Sequence, residues 1–218
     1  MKKLLIFDLD GTLADTLGTI GDAVNMCMEH FGFPKRSAEQ VRRAVGNGVR
    51  ELMRLSLPEG EADSAERFEE ILAYFNGCYR QTCDQIDGCY DGLYEVIQQV
   101  SAKGYVLAVL SNKPDPLVKK IITKLFKPDT FIVALGQTEM PRKPDPTVPL
   151  LIASEAGVTP ADTYFIGDSE VDVLTARNAG MNAVAVSWGF RPRTLLEDSE
   201  PHFIADTPEE LLNYLIGE

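Results

Sequence analysis

From residue 93 onward, segments of helical periodicity alternate with short unbroken apolar runs, and that alternation restricts the fold more than any other feature of the chain. Residues 93–103 read as a helix ended by Gly104. Val106-Leu107-Ala108-Val109-Leu110 reads as a buried strand, because it is continuous rather than alternating. Further strands are predicted over 131–134, 164–166, 183–186 and 203–204, with helices over 116–126, 147–156, 171–179 and 208–216. Such alternation implies right-handed crossovers and a parallel sheet. Leu4-Leu5-Ile6-Phe7 is a run of the same kind and belongs to the same sheet. Between it and the rest, residues 15–85 carry helical spacing only. Leu17, Ile20, Val24, Cys27, Met28 and Phe31 mark a first helix, 38–45 a second, and 49–56 a third after the Gly46-Asn47-Gly48 break; Ser64 caps a long fourth. The expected fold class is α/β, a parallel-sheet core of residues 1–14 and 86–218 with an all-helical insertion, a lid, over 15–85. The aromatic and methionine positions of that insertion are expected to form its own core.

Bulk properties narrow the function. At 218 residues the chain suits one domain or a core with a modest second lobe. A net charge of −12 opposes non-specific binding to nucleic acid or to an anionic membrane. No apolar run approaches membrane-spanning length, and the run after Met1-Lys2-Lys3 is too short for a signal peptide, so the expected location is the cytoplasm. Cys27, Cys78, Cys83 and Cys89 form no C-x-x-C pair and lie far from His30 and His202, which argues against zinc and for small apolar thiols. The expected partner is a small molecule, with the chain a monomer or homodimer.

Several predicted strands end in polar groups. The first runs into Asp8-Leu9-Asp10-Gly11-Thr12; residues i and i+2 of an extended segment point the same way, so both carboxylates converge at the carboxyl end of a strand, where open α/β sheets bind ligands. Val106 to Leu110 runs into Ser111-Asn112-Lys113-Pro114, and 163–166 into Gly167-Asp168-Ser169-Glu170-Val171-Asp172. A proline-fixed loop, Arg142-Lys143-Pro144-Asp145-Pro146, presents Lys143. In a parallel sheet these ends share one edge. Phosphoryl transfer wants this set: a hard divalent cation held by carboxylates, together with a lysine, neutralises a phosphoester. Asp8 can then attack phosphorus, and Asp10 can protonate the leaving alkoxide and later take a proton from water. Ser111 and Asn112 can donate to phosphoryl oxygens, Asp168 is a metal ligand, and Asp172 is placed one step behind the metal ligands.

The runs FDLDGTLADT, LSNKPD, RKPDP and GDSEVDVLTARNAGM resemble the four motifs of the haloacid dehalogenase superfamily, in that family's order and across almost the whole chain. The resemblance implies a Rossmann-like core with a helical cap, a magnesium ion and an aspartyl-phosphate intermediate. It further implies that Asp10 also ligates the metal through its backbone carbonyl and that Ser111 and Lys143 hold the phosphoryl group. The family's dehalogenases lack the second acid of the first motif; Asp10 is present here, which favours phosphotransfer. Within the family the closest similarity is to phosphoglycolate phosphatases, with sugar-phosphate mutases, pyrophosphatases, nucleotidases and a non-catalytic phosphate-binding regulator as alternatives. The first motif, the cap segment 44–49 and Asn112-Lys113-Pro114 carry that similarity. Thr12, Arg43, Gly46, Asn47 and Gly48 join Asn112 as substrate-binding candidates, since the helix start after Gly46-Asn47-Gly48 suits an anion and Arg43 and Arg50 flank it. Lys113 is expected at a structural or rim position, and Glu170 as a solvated acid.

Overall fold

The structure, a computed structural model, describes residues 3–86 and 88–217. Among the described residues the strands are β1 Leu4–Phe7, β2 Val106–Pro114, β3 Val133–Gln137, β4 Thr163–Gly167, β5 Asn182–Val186 and β6 Phe203–Ala205. They form one parallel sheet in the order β3-β2-β1-β4-β5-β6. The chain moves outward from β1 through β2 to β3, then returns to place β4 on the other side of β1. The sheet order thus reverses at β1, and a crevice opens at its carboxyl end.

Four helices, α1 Leu17–His30, α2 Ala38–Ala44, α3 Gly48–Ser56 and α4 Ala65–Thr82, fill the insertion as the spacing predicts. Ser64 caps α4 by accepting from the Arg67 amide at 3.4 Å. The remaining helices are α5 Leu93–Ala102, α6 Asp115–Leu125, α7 Thr147–Ala156, α8 Glu170–Asn178, α9 Arg193–Asp198 and α10 Pro208–Ile216. Of the segment expected to join insertion and core, Asp87 lies outside the described residues, as do Met1, Lys2 and Glu218.

Alternation along β1 divides the core. Leu4 and Ile6 face α7, α8 and Leu196 of α9, whereas Leu5 and Phe7 face α5, α6, α10 and the insertion. The insertion's Met28, Met53, Phe68, Phe75 and Tyr79 lie in the same apolar cluster as Leu5 and Phe7. They do not form the separate core that the sequence suggests, because their apolar cluster runs on without a break into that of the core and α3 packs against β2. Three local differences also stand out. The strand expected over 131–134 begins at Val133, opposite Ala108, because Phe131 turns inward to meet Phe126 edge-on at 5.0 Å. The second strand continues beyond Leu110 to Pro114, carrying Ser111, Asn112 and Lys113 into buried positions. The short α9 went unpredicted because Leu196 is its one fully buried side chain.

Candidate active site

Asp8 follows directly on β1, and its amide donates to the Ile166 carbonyl at 2.8 Å, so the carboxyl is set by the sheet itself. Its Oδ1 accepts from the Leu9 amide at 2.7 Å and from Lys143 Nζ at 3.0 Å. Asp10, two residues on, reaches the same pocket with different partners: its Oδ1 accepts from Thr16 Oγ1 at 2.7 Å and from Lys113 Nζ at 2.8 Å. Gly11 lies between them and Asp168. It has φ +80°, and a Cβ there would stand 2.3 Å from Asp168 Oδ2, so no side chain fits.

Asp8, Asp168 and Asp172 each offer an oxygen within 4.8 Å of the others'. Asp168 Oδ2 accepts from the Phe190 amide at 2.6 Å; Asp172 Oδ2 accepts from the amide and hydroxyl of Ser169 at 3.1 and 2.6 Å. Lys143, almost fully buried, donates to Asp172 Oδ1 at 2.6 Å as well as to Asp8. One ammonium thus pairs with two of the three buried carboxylates. Burial, followed by the charges of Asp172 and Asp10, outweighs Lys143 and pushes Asp8 up to about 6. Burial and then repulsion from Asp172 and Asp8 raise Asp168 well above the usual carboxylate range. Burial alone would lower Lys143, but Asp172 and Asp8 hold it raised. An all-oxygen donor set with excess negative charge fits a hard divalent cation. Asp172 comes close to the other two because the first turn of α8 brings it back over Gly167, where a Cβ would fall 2.2 Å from its carboxyl carbon, and both its oxygens already accept from Lys143 and Ser169.

At the end of β2, Ser111 lines the pocket, and its Oγ accepts the Lys113 amide at 3.4 Å, leaving the hydroxyl proton uncommitted by that bond. Asn112 behaves differently from expectation. Its Nδ2 donates to the carbonyls of Gly46 and Lys143 at 3.0 and 3.1 Å, and its Oδ1 accepts the Lys143 amide at 3.0 Å. Both amide protons are used in pinning the Lys143 loop and the insertion, so the side chain has none for a phosphoryl oxygen. For Lys113, expected at a structural or rim position, the rim is excluded: its side chain is fully shielded from solvent and contacts Asp10 and the hydroxyl of Tyr79. Positions 111 and 113 share one side of an extended strand, and that parity was the signal available in the sequence.

The pocket is a cavity of about 40 Å³, measured as the space that centres of water-sized molecules can occupy. Its floor is Asp8, Asp10, Ser111 and Asp168, and its roof is Ile20, Val45, Gly46, Gly48, Val49 and Leu52. The start of α3 therefore faces the site. Asn47 points its carbonyl at Arg142 instead, 2.8 Å away, and is absent from the lining. Arg43 is also absent: it lies on the solvent side of α2, its side chain 79% exposed and paired with Glu39 at 2.8 Å. Arg50 pairs with Glu69 at 2.7 Å, outside the pocket. Thr12 is fully buried beneath the site, with its hydroxyl 3.5 Å from Asp168 Oδ1. Beside Lys113, the cation that lines the pocket from the core side is Arg191, which the sequence did not single out. It donates to the carbonyls of Arg42 and Val45 at 2.9 and 2.6 Å and pairs with Glu170 at 3.0 Å, which removes Glu170 from the role of a merely solvated acid.

Comparison with known proteins agrees with this geometry. The chain is 31% identical to Phosphoglycolate phosphatase 1 of Pseudomonas aeruginosa over 97% of its own length and 79% of that protein's. It is equally 31% identical to a phosphoglycolate phosphatase of Vibrio parahaemolyticus, over 96% of this chain and 94% of the relative. Among solved structures, a predicted phosphoglycolate phosphatase from Haemophilus somnus superposes with a TM-score of 0.90 at 27% identity, covering 98% of both chains. The family described as haloacid dehalogenase-like hydrolase matches residues 5–186, a span that takes in Asp8, Asp10, Ser111, Lys143, Asp168 and Asp172. The chain belongs to the haloacid dehalogenase-like hydrolases.

Proposed function

We propose that this protein is a phosphatase of small phosphomonoesters, with 2-phosphoglycolate as its substrate. The observation that carries the mechanism is the separate handling of two neighbouring carboxyls: Asp8 is held by Lys143 and Asp10 by Lys113, both at one pocket. Asp8 and Asp168, with the backbone carbonyl of Asp10 and with Asp172 behind them, would hold a magnesium ion, which would offset the phosphoester's charge and polarise the phosphoryl group. An Asp8 oxygen bonds to phosphorus as the ester P–O bond breaks, and the departing alkoxide takes a proton from Asp10. Asp10, now a carboxylate, takes a proton from water. The water oxygen bonds to phosphorus, the bond to Asp8 breaks, and inorganic phosphate leaves. Ser111 donates to the phosphoryl group. Lys143 favours the ionised form of Asp8 against the effect of burial and holds it in place.

The substrate assignment is supported by the named relatives. The start of α3 and Arg191 are the pocket's groups suited to a glycolate carboxylate. The expected result is stoichiometric release of phosphate from 2-phosphoglycolate, in preference to hexose phosphates and abolished by chelation. Isomerisation without phosphate release would instead indicate a mutase. Asp8→Asn is expected to eliminate turnover; retention of wild-type rates would remove Asp8 as the nucleophile.

A further inference from the structure

Lys113 and Tyr79 contact neither the phosphoryl group nor the leaving group in that mechanism, yet both are buried beside Asp10. Lys113 comes from the end of β2 and Tyr79 from the last turn of α4, so the two meet across the boundary between core and insertion. Lys113 Nζ donates to Asp10 Oδ1 and to the Tyr79 hydroxyl, and stands 4.5 Å from the centre of the Tyr79 ring. A lysine chain is ordinarily mobile, but this one is fixed at its head by a carboxylate, a phenol oxygen and an aromatic face. Thr16 also donates to Oδ1, so both donors to this carboxyl occupy the same oxygen.

We propose that Lys113 and Tyr79 are positioning residues for Asp10: Tyr79 holds the Lys113 ammonium, and Lys113, by occupying Oδ1, leaves Oδ2 as the oxygen that gives and takes the proton and aims it into the pocket. The inference rests on Asp10 being the proton donor of the proposed phosphatase. Because Tyr79 belongs to the insertion, the Lys113 ammonium has its full set of partners while the helices lie against the core, which ties the aiming of Asp10 to a covered site.

The prediction concerns leaving groups. The glycolate alkoxide needs a proton to depart, whereas the p-nitrophenolate of p-nitrophenyl phosphate leaves without one. kcat/KM reports the step in which the ester bond breaks, so the ratio of kcat/KM for 2-phosphoglycolate to that for p-nitrophenyl phosphate isolates the acid's contribution. Asp10→Asn sets the reference, with that ratio lowered by about 10²–10⁴. Lys113→Met is expected to lower the ratio by about 10², and Tyr79→Phe, which keeps the ring and removes the hydroxyl, by about tenfold, both through kcat with KM little changed. If Asp10→Asn lowers the ratio but Lys113→Met and Tyr79→Phe reduce both esters equally, the positioning role is overturned and Asp10 stands as the acid. If Asp10→Asn itself reduces both equally, Asp10 is not the donor and the inference falls with it. Should Lys113→Met fail to fold, the near-isosteric Tyr79→Phe decides alone.

Discussion

Lys143 answers Asp8 and Asp172 at 3.0 and 2.6 Å from an almost solvent-free position. Removing one member of a buried ionic group leaves the other charges uncompensated, at a cost of roughly 3–5 kcal/mol. Lys143→Met is therefore expected to lower the unfolding free energy extrapolated from urea titration by that amount as well as to remove activity; an unchanged free energy would show that the carboxylates are compensated without it. Asp8, Asp10, Ser111, Lys143 and Asp168 were legible in the sequence because a parallel sheet delivers its strand ends to one edge. Arg43 was misassigned for want of helical phase. Val41 and Ala44 supply the buried side of α2, and position 43 falls off it. Asn112 shows the opposite limit: its residue type suits a phosphate, and only the coordinates reveal that the Gly46 and Lys143 carbonyls consume both amide protons. Tyr79 had no signal at all, since its hydroxyl meets a lysine 34 residues away in sequence and on another element.

At the scale of elements, most helices and strands were legible because local periodicity determines them; the exceptions are instructive. The outer strand β3 moved because one aromatic, Phe131, prefers the core to the ladder. The join between insertion and core was not legible, as it is built from single residues in loops. Arg191, after β5, closes the end of α2 by donating to the carbonyls of Arg42 and Val45. Asn112 and Arg142 add bonds to the carbonyls of Gly46 and Asn47. Gly48 comes so near the core that a Cβ would lie 2.9 Å from Gln137 Oε1. Arg191→Met leaves two helix-end carbonyls without their donor, each unsatisfied group costing about 1–3 kcal/mol where buried. Faster amide exchange confined to α2 and the 45–48 turn is the expected result. Exchange unchanged there, with the variant equally stable, would mean that water or other donors replace the guanidinium.

For the whole molecule, the consequential fact is that insertion and core do not keep separate apolar interiors. Phe75 is fully buried on α4, within the same cluster as Leu5 and Phe7 of β1 and Leu211 of α10. The sequence could not show this, because helical spacing identifies an apolar face without naming what it packs against. A lid with its own core could melt alone; one whose apolar cluster is continuous with that of the sheet cannot come away without exposing core side chains. The two parts are therefore expected to unfold in one transition. The sole tryptophan makes this measurable. Trp188 belongs to the core side, donating from Nε1 to the Thr12 carbonyl at 3.2 Å, while far-UV circular dichroism is weighted towards the helices. Phe75→Ala removes a large buried ring at a cost of about 3–5 kcal/mol. If the interior is shared, the variant's fluorescence and dichroism midpoints fall together by the same amount. Were the dichroism midpoint to fall alone, with Trp188 still reporting a wild-type core, the insertion would be an independent folding unit and its contact with the sheet only a docking surface.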